Sequence, residues 1–308
     1  MIALNCYEKK TSGKLYLRTA LIIISVFVFA GRLLAFYENG KVPVVVTCKW
    51  LEENLSDPDL VILHISPVIR DYDNGHIPGA KFLWPGWLIV SNEKETVVPA
   101  DVKQMKKVLE GLGVSNKSHI VLCGIYGNII AVCRIYVTLD YIGLGGRVSI
   151  LEGGFDEWKD SGRKVSQEHP ASIKGKLIIS IQDNLVNTDW VAQNLTNKAY
   201  SIVDVRSKAY FEGTTGVPRQ GHIPGAKSLP YTDIYDSKTL HFASADNLKE
   251  LFGGLNILRD SRPVFYCSGG NSACVGYVAA IIAGYNPIVY DGSMEAWGSR
   301  FDLPIEKK

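Results

Sequence analysis

The sequence predicts an α/β protein made of two tandem units, each a parallel sheet flanked by helices, behind an N-terminal apolar segment. Two observations lead to this. The hexapeptide Gly-His-Ile-Pro-Gly-Ala occurs at Gly75 to Ala80 and again at Gly221 to Ala226, each time followed by lysine, which marks an internal duplication. Within each copy, short apolar runs bounded by turn residues alternate with segments of helical period. That is the pattern of parallel strands buried on both faces and joined by helical crossovers. The chain then divides into residues 1–40 (signal peptide or membrane anchor plus linker), 41–164 (first unit), 165–176 (a polar, strand-free linker) and 177–308 (second unit).

Taken in order, Lys9, Lys10, Lys14 and Arg18 precede the apolar run from Ala20 to Phe36. A basic region followed by such a run reads as a secretory signal or an uncleaved anchor. Its length is close to the minimum for a span, Arg32 can snorkel to the far interface, and no strong small-residue cleavage site follows. The reading is an anchor with its basic end in the cytoplasm and the rest of the chain outside, in the cell envelope; a buried core helix is the alternative. From Val44 the chain reads strand, amphipathic helix, strand, and Asp101 to Leu112 reads as a further helix.

The second unit repeats these elements. Tyr200 to Arg206 matches Leu60 to Ser66, Pro263 to Tyr266 matches Ile120 to Cys123, and Val289 to Trp297 matches Ile150 to Trp158. Ser244 to Phe252 is helical. Trp158 and Trp297 follow Gly-rich turns and read as core residues. His76 and His222, inside their Gly-His-Ile-Pro-Gly turns, read as residues that shape the turn by bonding to backbone.

The chemistry-bearing stretch is Pro263 to Tyr285. Val264, Phe265 and Tyr266 read as a buried strand, and Ala273 to Ile282, closed by Gly284, as a helix. Between them stands Cys267-Ser268-Gly269-Gly270-Asn271-Ser272. A cysteine at the carboxyl end of a strand, followed by two glycines and a helix start, lies where N–H groups from Ser268 to Ser272 can converge on its sulfur and favour a thiolate. The alternative is a small buried hydrophobe. In the first unit the matching position is Gly124, and Cys123, one residue earlier, points to the other face by strand alternation. The composition (46% hydrophobic, 21% charged, net charge +2) argues neither for a nucleic-acid surface nor for disorder. Six cysteines form no C-x-x-C pair and no zinc-like spacing with histidine, so no structural metal is expected.

The two GHIPGA motifs, the Asp204-Val205-Arg206 strand end, the Cys267 loop, and the closing Tyr290-Asp291-Gly292-Ser293-Met294-Glu295-Ala296-Trp297 resemble the tandem-domain rhodanese family of sulfurtransferases over roughly Val44 to Glu306. The resemblance implies an α/β/α sandwich per unit and a site in the second unit near the interface with the first. It implies a double displacement in which Cys267 takes sulfur from thiosulfate or 3-mercaptopyruvate, stores it as a persulfide and yields it to cyanide, a thiol or a protein thiol partner, with no cofactor. With Gly124 in place of cysteine, the first unit is read as non-catalytic, a wall of the site.

Arg206 is a candidate for binding the anionic donor, with an ion pair to Asp204 as the alternative; Arg219 is a further anion-binding candidate. Met294 stands where relatives often have an aromatic. A related class, the dual-specificity phosphatases, needs a longer loop ending in arginine; here Ala273 and Cys274 follow. The competing function is an anchored sulfur-relay or protein-binding module without small-molecule turnover. The neutral loop Ser268 to Ser272 leads to the expectation that 3-mercaptopyruvate is used at least as well as thiosulfate.

Overall fold

The computed structural model describes residues 41–91, 97–171, 173–216 and 219–307. The N-terminal signal or anchor expected before Lys41 lies outside the described residues. Among the described residues no helix is long and apolar enough to cross a membrane.

The first half runs β1 (Val45–Val46), α1 (Cys48–Asn54), β2 (Leu60–Ile65), α2 (Ile69–Asn74), β3 (Lys81–Leu83), β4 (Ile89–Val90), β5 (Val98–Pro99), α3 (Val102–Gly111), β6 (His119–Cys123), α4 (Ile129–Tyr141), β7 (Val148–Leu151) and α5 (Gly154–Asp160). Its sheet has the order β1-β7-β6-β2-β3, parallel throughout, while β4 and β5 form a separate antiparallel pair. The second half runs β8 (Leu185–Val186), α6 (Thr188–Asn194), β9 (Tyr200–Asp204), α7 (Lys208–Glu212), β10 (Lys227–Ser228), α8 (Ala245–Gly254), β11 (Arg262–Tyr266), α9 (Ala273–Ile282), β12 (Ile288–Tyr290) and α10 (Ser293–Ser299). Its parallel order, β8-β12-β11-β9-β10, is the same topology strand for strand. The duplicated sequence is thus a duplicated fold, with β6 and β11 at the centre of their sheets.

Local chemistry explains the element boundaries. Thr47 and Asn187 stand at matched positions and cap α1 and α6 by accepting from the backbone N–H of Trp50 and Trp190. Asp101 caps α3 and Ser244 caps α8 in the same way. The turn histidines also repeat: the rings of His76 and His222 donate from Nδ1 to the carbonyls of Tyr72 and Phe211, both at 2.8 Å, and stack on those same residues' rings. Trp158 and Trp297 are core residues, and their indole N–H groups donate to the carbonyls of Lys164 and Pro304.

Each sheet has an outer face with its own core, under α1 and α5 in the first half and under α6 and α10 in the second. The inner faces share one core that runs through both halves and includes α3, α4, α8 and α9. There α4 packs on α9. A helix held between its own sheet and a second helix has no solvent face, so α9 is apolar all round, with Ala273 to Ala280 buried.

The connection between the halves is bound to the first half along its length. Ser166 pairs with His76 through two backbone hydrogen bonds, as Glu306 pairs with His222. Farther on, the N–H groups of Gly175 and Gln182 donate to the carbonyls of Glu110 and Tyr141. The chain expected to serve as a linker, 165–176, therefore includes Ser166, which pairs with the first unit's GHIPGA turn. The sheet of the second starts at Leu185.

Candidate active site

Cys267 directly follows β11, the central strand of the second sheet, and is only 2% exposed. Its sulfur accepts the backbone N–H of Gly270 at 3.1 Å. Gly270 takes φ +89°, which brings that N–H back toward the strand end, and a Cβ there would lie 2.5 Å from the carbonyl oxygen of Asp291. Both facts restrict the position to glycine. The rest of the predicted loop surrounds this contact: Ser268 and Asn271 are exposed, Gly269 and Ser272 half-buried, and Ser272 is the N-cap of α9. An N–H donor aimed at sulfur from the turn before a helix stabilises negative charge on it.

The segment after β12 holds the cysteine from the other side. The N–H of Met294 donates to the carbonyl of Cys267 at 3.1 Å and that of Glu295 to the carbonyl of Ser268 at 2.9 Å. The Ser293 hydroxyl accepts the Cys267 N–H at 3.0 Å, donates to the Tyr290 carbonyl at 3.0 Å, and has its oxygen 4.0 Å from the Cys267 sulfur. Ser293 is fully buried at φ +49°, a left-handed conformation unusual for serine. Sequence reasoning missed Ser293. The signal was present in the repeat: its counterpart is Gly154, at φ +61°, so a position that needs a left-handed backbone carries a hydroxyl only where the loop carries a cysteine.

The two arginines expected to hold the donor each have protein acceptors. Arg206 donates from Nε and Nη2 to the Asp204 carboxylate and from Nη2 to the carbonyl of Gly221, tying the end of β9 to the second GHIPGA turn. Arg206 is 8% exposed and Asp204 fully buried, so each neutralises the other out of water. Arg219 donates to the carbonyls of Arg300 and Leu303 and lies over the Phe301 ring, securing the chain after α10.

A family model described as the Rhodanese-like domain matches residues 47–161 and 187–300. The chain belongs to the rhodanese family. It is 31% identical over 301 residues to a mitochondrial thiosulfate/3-mercaptopyruvate sulfurtransferase of Arabidopsis thaliana, covering 85% of this chain and 78% of the relative. It is 30% identical over 281 residues to the sulfur carrier protein TtuD of Thermus thermophilus, covering 86% of this chain and 96% of the relative. In structure it resembles an anaerobic ergothioneine biosynthesis enzyme from Chlorobium limicola, with a TM-score of 0.73 at 22% identity over 86% of this chain and 70% of that one, a likeness of fold.

The first rhodanese unit keeps the frame of this site without its chemistry. The N–H of Phe155 donates to the carbonyl of Gly124 at 2.8 Å, the same contact Met294 makes to Cys267. A Cβ at Gly124 would lie 2.7 Å from a Val132 methyl, so the position has closed over. Cys123 faces the outer core, where burial pushes its thiol well up and keeps it neutral. Leu240 of the second unit lines the small space left at this closed site, together with Gly124 and Gly127. A cavity of about 640 Å³ is lined by Trp84, Ile89, Val90, Ile130 and Arg134 of the first unit, among others, together with Asn271 of the cysteine loop.

Proposed function

We propose that this chain is a sulfurtransferase that carries sulfur as a persulfide on Cys267. The thiolate attacks the outer sulfur of thiosulfate, the S–S bond breaks and sulfite leaves with the electron pair. With 3-mercaptopyruvate the C–S bond breaks and pyruvate enolate leaves. A nucleophilic acceptor, cyanide or a thiol, then attacks the terminal sulfur, and the Cys267 thiolate departs restored. The observation that carries this reading is the Gly270 N–H donated to the Cys267 sulfur at 3.1 Å, because a preorganised donor supports the anion at both ends of the cycle without reorganisation. The sulfur itself is the carried group, so the scheme calls for no cofactor.

The donor is held at the neutral loop Ser268, Gly269, Gly270, Asn271 and Ser272. A dianion gains more from a nearby cation than a monocarboxylate does. With Arg206 and Arg219 bonded to protein acceptors, thiosulfate loses the greater advantage. Both donors turn over, with the specificity constant for 3-mercaptopyruvate at least equal to that for thiosulfate. Steady-state kinetics with cyanide as common acceptor tests this, and a strong thiosulfate preference overturns it. The sulfur-carrier relative supports a second reading, relay from protein to protein. Turnover with neither small donor, together with sulfur uptake from a protein persulfide, would select it.

The basic region and apolar run before Phe36 support placement at the cell envelope, facing out of the cytoplasm, by a signal or anchor. A chain beginning at Lys41 should remain soluble and active. Precipitation or loss of activity would make the apolar run part of the fold.

A further inference from the structure

Arg134 lies on α4, in the unit without a catalytic cysteine, and is fully buried. Its Nη1 and Nη2 grip both carboxylate oxygens of Asp291, the Nη2 contact at 3.1 Å. Asp291 follows β12 in the other half, and its carbonyl oxygen is the atom against which Gly270 packs. A second arm runs through Cys274: Nη1 of Arg134 lies 4.0 Å from its sulfur, and the Cys274 thiol faces the carbonyl of Gly270 at 3.5 Å. Both arms end on Gly270, whose N–H reaches the Cys267 sulfur.

We propose that Arg134 is a positioning residue for sulfur transfer: through Asp291 and Cys274 it fixes the Gly270 peptide, and so makes the first unit part of the machinery that forms the persulfide. A buried ion pair is weak evidence for stability, since an apolar pair of equal volume often does as well; its geometry is what an apolar pair cannot supply. The asymmetry of the repeat agrees. The counterpart of Asp291 is Glu152, beside the closed site, and among the described residues it makes no ion pair.

This inference rests on the persulfide reading of Cys267, and the test separates the two. Single-turnover persulfide formation is measured against donor concentration for the full chain, for Arg134→Lys, and for Arg134→Met combined with Asp291→Asn, which leaves no lone buried charge. The double variant is expected to fold cooperatively and to form persulfide at least tenfold more slowly at saturating donor, with less than a twofold change in half-saturation. Arg134→Lys, which keeps the charge but loses the fork, should fall between. A folded double variant at the unaltered rate overturns the proposal. So does a loss confined to half-saturation, which would make Arg134 a donor-binding group. If the double variant does not fold, Arg134→Lys decides: the unaltered rate there overturns the proposal. Absence of persulfide in the unaltered protein would instead refute the reading of Cys267.

Discussion

At the scale of single residues, the site depends on two backbone positions that tolerate almost no substitution. Gly270 bends the loop so that one N–H meets sulfur, and Ser293 fastens the Cys267 N–H from behind. Ser293→Gly suits the left-handed backbone and removes the hydroxymethyl group, the acceptor hydroxyl with it. It leaves a buried N–H without its acceptor, a loss of about 1 to 3 kcal/mol. We expect persulfide formation to fall about tenfold or more, read by single-turnover kinetics, while the donor's half-saturation stays put. An unaltered rate would show that Met294 and Glu295 hold the cysteine alone. Cys267 was legible in the sequence because a strand end, two glycines and a helix start are local signals. Ser293 and Arg134 were not, because their roles depend on contacts made by residues far away in sequence; only the Gly154 pairing hinted at Ser293.

At the scale of elements, the duplication let the sequence place the sheet strands β2, β6, β9 and β11 and the helices α1, α3, α8 and α9, since a weak pattern could be checked against its twin, while short elements such as β3, β4, β5 and β10 carry too few residues to show a period. What it did not disclose was the partner of α9. An all-apolar helix states that it is surrounded, not by what, and the structure supplies α4. The ends of β9 carry the other lesson. An arginine after a buried strand reads equally well as an anion binder or as half of an ion pair, and a fully buried Asp204 two residues away decides for the pair. Arg206→Met should therefore destabilise the fold by about 3 kcal/mol or more, because it leaves a buried carboxylate uncompensated. Urea unfolding checks this, together with an unchanged KM for donor. A tenfold rise in KM at unaltered stability would return Arg206 to the substrate site.

At the scale of the molecule, the shared inner core ties two units of unequal chemistry into one enzyme. Its stability carries a pH signature from the first unit. Burial pushes His64 and His119 down to about 4, and both ring nitrogens of His64 lack hydrogen-bond partners among the described residues. At about pH 7.5 and above both histidines are almost wholly neutral in either state, and the full stability is present. As pH falls from 6.5 toward 4, the unfolded chain takes up protons that the folded chain refuses, so stability is lost, by about 2 kcal/mol per histidine between pH 7.5 and 5. Urea unfolding at these two pH values should show the loss, and His64→Phe should remove about half of it. A flat profile would contradict the burial of these rings.

The central claim, that sulfur rides on Cys267 and on no other cysteine, is tested most directly by mass spectrometry of the protein after reaction with 3-mercaptopyruvate or thiosulfate and removal of excess donor. The account predicts one added sulfur, mapped to the peptide containing Cys267, with none in Cys267→Ser and an undiminished yield in Cys123→Ser. Sulfur on Cys123, or persistent persulfide in Cys267→Ser, would contradict it.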